Sequence, residues 1–332
     1  MRRMENKDIV TLYNQPWRYH HDQVHLIRMK EALVSHQGHE WDILLNAIIF
    51  HDCVYEPFAS DNEEKSNEKW IEYAKDGGYP QDLIDDVSRL ILMTKHPESC
   101  RTPLEVDFRD ADWNNMGNVH DISDEYAKWL DRYEDDIFRE YQRVPVEDYV
   151  TGRLSFIEDS VEKELMTREV ADYLRPLVRR KRRVGVYAGS FLPFHIGHLS
   201  VLRKAERMFD KVIVAQGINP EKKGIDRERF DNVSDVLAHH QVERYSGKLV
   251  DFMNGLQSEY CEPVLVRGLR NGYDLSQEVN FVQFLNDQTE WMDIPPIPIV
   301  YIHCEKELEH ISSSAVRMLD PDDARFYIPG RQ

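Results

Sequence analysis

The stretch Arg183–His198, "RVGVYAGSFLPFHIGH", decides the fold. Its first six residues form a short apolar run bounded by Gly189, the pattern of a buried strand. The segment that follows, "GHLSVLRKAERMF" (197–209), places Leu199, Leu202, Ala205 and Phe209 at helical spacing. Between strand and helix lies a turn holding Gly189, Ser190, His195, Gly197 and His198. Gly189 lets the backbone turn, and Ser190 offers a hydroxyl and an amide. Gly197 permits close approach at a helix start, where free amides attract anions. His195 and His198 can donate to phosphate oxygens and stabilise charge as it develops. Either histidine alone serves equally well as a helix cap.

Outward from this turn, strands and helices alternate. Strands read at "KVIVAQG" (211–217), "VERYS" (242–246), "PVLVRG" (263–268) and "IPIVYIHC" (297–304). Helices read at 227–240, 248–260, 274–288 and 312–319. Five strands separated by helices imply a doubly wound parallel α/β sheet. Ligands of such sheets bind at the carboxyl ends of the strands, where the histidine turn falls.

Residues 5 to 175 have a different rhythm. "WDILLNAIIF" (41–50) is nearly apolar throughout, and "QDLIDDVSRLILMT" (81–94) lines up Leu83, Ile84, Val87, Leu90 and Ile91. This half is expected to be all-α. The join, 174–184, contains Pro176 and five consecutive cations, Arg179 to Arg183. A nucleic-acid or membrane patch is one reading of that run, and a solvated linker is the other. The formal net charge of -18 favours the linker. The expected organisation is a helical domain (1–174), a basic linker (175–183) and an α/β domain (184–332).

Composition limits the function classes. No run approaches the roughly 20 apolar residues of a membrane span, and "MRRMENKDIV" lacks a signal-peptide core. A cytoplasmic protein acting on small molecules is expected, with no membrane and no nucleic-acid partner. Self-association is left open. The four cysteines, Cys53, Cys100, Cys261 and Cys304, are far apart and form no CxxC pair. They read as reduced thiols.

The helical half carries its own constellation. "RYHHDQVHLIRM" holds His20, His21 and His25, "FHDCVYEP" holds His51 and Asp52, and "FRDADWNNMG" holds Asp110 and Asp112. Imidazoles and carboxylates from separate helices can converge on one divalent ion and leave positions open for water and phosphate.

Both halves resemble known families. The blocks "YAGSFLPFHIGH", "SGKLVDF" (246–252), "VRGLRNGYDLSQEVNF" (266–281), "ISSSAVRML" (311–319) and "FYIPG" resemble, in order, phosphopantetheine adenylyltransferase, among the HxGH nucleotidyltransferases. The resemblance implies a Rossmann-like domain that transfers AMP from ATP, with Mg2+, to 4'-phosphopantetheine. It implies that His198 meets the ATP phosphates beside His195 and Ser190. Lys222 would neutralise the reacting phosphates, and Arg267 and Arg270 would grip acceptor and triphosphate. Asp274 and Glu278 would lie at the ATP end, and Ser312, Ser313 and Ser314 would bind phosphate. Leu192 stands where the family reads aspartate, and 220–245 looks compressed, two departures that bear on acceptor choice. Nicotinamide mononucleotide is the rival acceptor, and a non-catalytic nucleotide sensor is the rival class.

The helical half resembles the HD superfamily of metal-dependent phosphohydrolases, and more closely a small group sharing "RxYHxxxH", "FHDxVY", "NExxS", "DAD" and "REYxxV…YxxGR". The resemblance implies His25, His51, Asp52 and Asp112 as ligands of Mn2+, Fe2+, Co2+, Ni2+ or Mg2+. His20, His21 and Asp110 would lie further from the ion. Glu63 and Glu64 are the candidates for the base that activates water, Arg18 and Lys95 for phosphate contacts, and His96 for a phosphate or an extra metal. Together the resemblances imply a bifunctional enzyme.

Overall fold

The computed structural model describes residues 9–218 and 226–330. The chain divides into two compact units, Met1–Tyr141 with Val150–Val178, and Gln142–Tyr149 with Arg179–Gln332.

The first unit is built from helices, with no strand among its described residues. They are α1 (Gln23–Ala32), α2 (His39–Phe50), α3 (Asn62–Gly77), α4 (Gln81–Met93), α5 (Pro103–Asp112), α6 (Asp124–Glu140), α7 (Val146–Glu162, whose first four residues belong to the second unit) and α8 (Arg168–Val178). Local chemistry sets the ends that matter. Asp22 caps α1 by accepting from the amides of Val24 and His25, so His25 lies in the first turn. Thr102 and Glu105 form a reciprocal capping box with Pro103 at the first position of α5, which ends on Asp112. The apolar face of α4 read from sequence is buried in full. It joins Met29, Leu44, Phe50, Trp70 and Phe108 in one core.

At the join between the halves, helix and strand lie close together in sequence. The apolar face Val170, Ala171, Leu174 and Val178 is buried and carries α8 through Pro176 to Val178. The next strand already begins at Arg182, which is 1% exposed. Only residues 179–181 lie between.

The second unit is a five-stranded parallel sheet: β1 (Arg182–Gly189), β2 (Lys211–Gly217), β3 (Gln241–Tyr245), β4 (Cys261–Leu269) and β5 (Ile299–His303). Its order is β3-β2-β1-β4-β5. The two-residue period of β1 sends Tyr187 into one core with Leu202, Ala205, Phe209 and Val266. Val186 and Ala188 enter the other, with Leu249, Met253 and Leu265. Helices α9 (Ile196–Ala205), α10 (Leu249–Gly255) and α11 (Gly272–Trp291) connect the strands. The order reverses at β1, which pairs with both β2 and β4. This reversal opens a crevice at the carboxyl ends of β1 and β4.

Two helical expectations were too long. Residues 227–240 form only the single turns Arg227–Phe230 and Val233–Val236. Between them Asn232 turns its side-chain amide to the Phe194 backbone: Oδ1 accepts from Phe194 N at 2.7 Å and Nδ2 donates to Phe194 O at 3.0 Å. The helix expected over 248–260 stops at Gly255.

Candidate active sites

In the first unit, α1, α2 and α5 bring four groups together. His25 Nε2 lies 3.2 Å from His51 Nε2 and 3.1 Å from Asp112 Oδ1. His51 Nε2 lies 3.3 Å from Asp52 Oδ2 and 3.6 Å from Asp112 Oδ1. The ligand atoms of His25, His51 and Asp52 fall within 4.8 Å of one another. His51 donates from Nδ1 to Ile48 O at 3.0 Å, which turns Nε2 toward the cluster. Burial opposes charge on His51, but Asp52 and Asp112 outweigh it and hold the imidazole well above its ordinary value. Burial alone would raise both carboxyls; His51 lowers Asp52, and His25 with His51 lowers Asp112. Two half-buried carboxylates and two buried imidazole nitrogens facing one point form a donor set that suits a divalent cation with mixed N/O ligands.

The other candidates of this unit are placed less centrally. Arg18 is buried and spent on the chain itself, donating to Asp52 O, His21 O, Cys53 O and Gln15 Oε1. It clamps the loop carrying Asp52 rather than offering a phosphate grip. Glu64 is exposed and holds Lys95 at 2.5 Å, a contact that lowers its proton affinity. That pairing suits neither the base expected of Glu64 nor the phosphate contact expected of Lys95. Glu63 is half-buried and, like Glu64, lies outside the group that converges. Asp110 pairs with Arg109 and Asn118. His96 is exposed beside Glu98.

The residue not singled out from sequence is Glu140. Its carboxylate is fully buried at the end of α6. Oε1 accepts from the amides of Tyr19, His20 and His21 at 2.9, 2.7 and 2.9 Å. Oε2 accepts from His21 Nδ1 at 2.7 Å and from the Tyr55 hydroxyl at 2.8 Å. Burial opposes ionisation, but His21 and these donors hold Glu140 down at about 2.

In the second unit, the turn after β1 borders a cavity of about 310 Å3 lined by Ser190, His195, His198, Arg267, Arg270 and Gln277, among others. Gly189 is required there because a Cβ would come within 2.8 Å of the Phe191 ring. His195 caps α9: its Nδ1 accepts from Gly197 N at 3.1 Å, while His198 Nδ1 accepts from His195 N at 3.3 Å. Both Nδ1 atoms are therefore acceptors, and the mobile proton of each ring is assigned to Nε2. The rings stack at 3.6 Å. Burial, then Arg270, lowers His195 to about 4. Burial, His195 and Arg270 push His198 well below its ordinary value. Two neutral Nε2–H donors thus border the cavity. The cap reading and the phosphate reading describe opposite edges of the same rings.

The arginines are preset by carboxylates of α11. Arg267 grips Glu278 at 2.7 and 2.6 Å and donates to Ala188 O at 2.9 Å. Arg270 grips Asp274 at 2.8 and 2.9 Å. Ser312 and Ser313 border the cavity, Ser312 capping the helix Ser313–Arg317 and Ser313 donating to Pro193 O. Ser314 is not among the lining residues and accepts from Arg317 instead. Lys222 lies outside the described residues. Leu192 is buried and is not among the lining residues, and its carbonyl accepts from Arg317. Gln277 was missed from sequence, because an amide on a helix carries no pattern of its own.

Residues 186–319 match the cytidylyltransferase-like family. The chain is 33% identical to the phosphopantetheine adenylyltransferase of Clostridium botulinum (strain Langeland / NCTC 10281 / Type F) over 142 residues, 41% of this chain and 81% of that protein. It is 35% identical to the phosphopantetheine adenylyltransferase of Streptococcus pneumoniae (strain CGSP14) over 161 residues, 44% of this chain and 90% of that protein.

Proposed function

Because the chain belongs, through its C-terminal residues, to the phosphopantetheine adenylyltransferase family, we propose that its second unit transfers AMP from ATP to 4'-phosphopantetheine, giving dephospho-CoA and pyrophosphate. The observation that carries this reading is the stacked pair His195 and His198, held by backbone amides and bordering one cavity with Arg267 and Arg270, with no bond to either Nε2 among the described residues. The acceptor phosphate is already a nucleophile, so the protein's work is positioning and charge stabilisation. His198 donates to the phosphate oxygens as charge builds, with His195 beside it. Neutral imidazoles suit this role, since a protonated Nδ1 would lose its amide donor and break the cap. Arg270, the more exposed of the two arginines, meets the triphosphate. Glu278 and Asp274 keep both guanidinium forks oriented before substrate arrives. Mg2+ would accompany ATP and screen its charge.

We further propose that the first unit is a metal-dependent phosphohydrolase of the HD kind acting on a nucleotide or phosphorylated metabolite. The convergence of His25, His51, Asp52 and Asp112 supports it. These four would hold a divalent ion, which supplies a more acidic bound water and neutralises phosphate charge. Arg18 and Ile48 fix the backbone and ring that aim Asp52 and His51.

The two activities are tested by crossing two variants of the full chain. His198→Ala should slow ATP-dependent pyrophosphate release about a hundred- to thousandfold and leave phosphate-ester hydrolysis near wild type. Asp52→Ala should abolish hydrolysis and the bound metal while sparing pyrophosphate release. Loss of both activities in either folded variant would show the assignment of separate sites to be wrong.

A further inference from the structure

We infer that His21 is a phosphate-contacting residue of the helical unit, aimed by Glu140 and standing beside the group of His25, His51, Asp52 and Asp112. This rests on the phosphohydrolase reading of that unit. Every freedom of the His21 ring except one polar atom is already taken. Nδ1 donates to Glu140 Oε2 at 2.7 Å, the short distance of a charge-assisted bond. Tyr55 stacks on the ring at 4.2 Å and donates to the same Glu140 oxygen. His20 meets its edge at 4.9 Å. The second Glu140 oxygen holds the amides of residues 19–21, so the backbone beneath the ring is fixed as well.

Among the described residues Nε2 makes no hydrogen bond, and the His21 side chain is 23% exposed. The ring centroid lies 6.1 Å from that of His25. Paired with an ionised Glu140, the imidazole presents Nε2–H next to the cluster, where an anionic oxygen of a phosphate held at His25, His51, Asp52 and Asp112 would need a donor. His20 does not share the role, being buried and packed against Tyr133. Glu140 touches no substrate and acts as a positioning residue.

The test uses the full chain, inorganic phosphate as the probe and calorimetry as the readout, with metal content measured on the same samples. The second unit is common to all variants, so differences report the first. In His21→Ala the metal content should equal wild type, while phosphate binds about ten- to hundredfold more weakly, the worth of one charged hydrogen bond. Glu140→Gln should weaken phosphate by a similar factor, and the double variant no further, because both changes remove one contact. An unchanged phosphate affinity in His21→Ala overturns the inference. So does loss of the metal, which would make His21 a ligand, and so do additive losses in the double variant. A wild-type chain that takes up no divalent ion defeats the hydrolase reading separately, and the same phosphate comparison without metal still decides on His21.

Discussion

Replacing Glu140 by alanine should destabilise the helical unit by about 3–5 kcal/mol. Its carboxylate is fully buried and takes five donors: three amides, one imidazole and one phenol. Hydrogen bonds to a charged acceptor contribute about 1.5–3 kcal/mol each, but Tyr19, His21 and Tyr55 are half-buried or exposed and can turn to water. The His20 amide cannot, because that residue is buried. Titration gives a second route to the magnitude. Glu140 sits at about 2 against an ordinary 4.5, and that difference corresponds to about 3 kcal/mol at neutral pH. The sign follows from the depressed value: the contribution is present above pH 4.5 and is lost as pH falls through 2. Urea denaturation followed by tryptophan fluorescence is the assay, since five of the six tryptophans (17, 41, 70, 113 and 129) lie in the first unit. Glu140→Gln, which keeps one acceptor oxygen, should lose less. A loss below about 1 kcal/mol for Glu140→Ala would refute the reasoning, because the 19–21 loop would then be held by something else.

Other outcomes follow from the second unit. Asn232→Ala removes both bonds to the Phe194 backbone and should lower the rate of pyrophosphate release about tenfold through a loosened turn, read as kcat with the KM for ATP alongside. His195 sits at about 4 against an ordinary 6.5, so the unfolded chain binds more protons between these values and stability falls with pH through that window. The loss is about 2 kcal/mol between pH 7 and 5. His195→Asn, an uncharged cap, should remove that part of the acid sensitivity, seen as amide hydrogen exchange in β1 and β4.

The alternation after residue 183 was legible because the three central strands, β1, β2 and β4, are short apolar runs buried on both faces. The histidine turn was legible because glycine, serine and histidine cluster between two periodic segments. What the sequence concealed are contacts made across the fold. Glu140 lies 119 residues from His21, and although the block "REYxxV" contains it, nothing in that block points to its histidine partner. Asn232 lies in a segment that periodicity reads as continuous, and its bonds to Phe194 reach across 38 residues of sequence. The run Arg179–Arg183 looked solvated because charge pattern alone does not reveal that Arg182 opens a central strand.

The central claim is adenylyl transfer to phosphopantetheine, and the most direct measurement is mass-spectrometric product analysis. The full chain would be incubated with ATP and Mg2+, once with 4'-phosphopantetheine and once with nicotinamide mononucleotide. Dephospho-CoA and an equal amount of pyrophosphate should form in the first mixture only, and His198→Ala should abolish both. A dinucleotide formed only with nicotinamide mononucleotide, or no pyrophosphate with either acceptor, would contradict the claim.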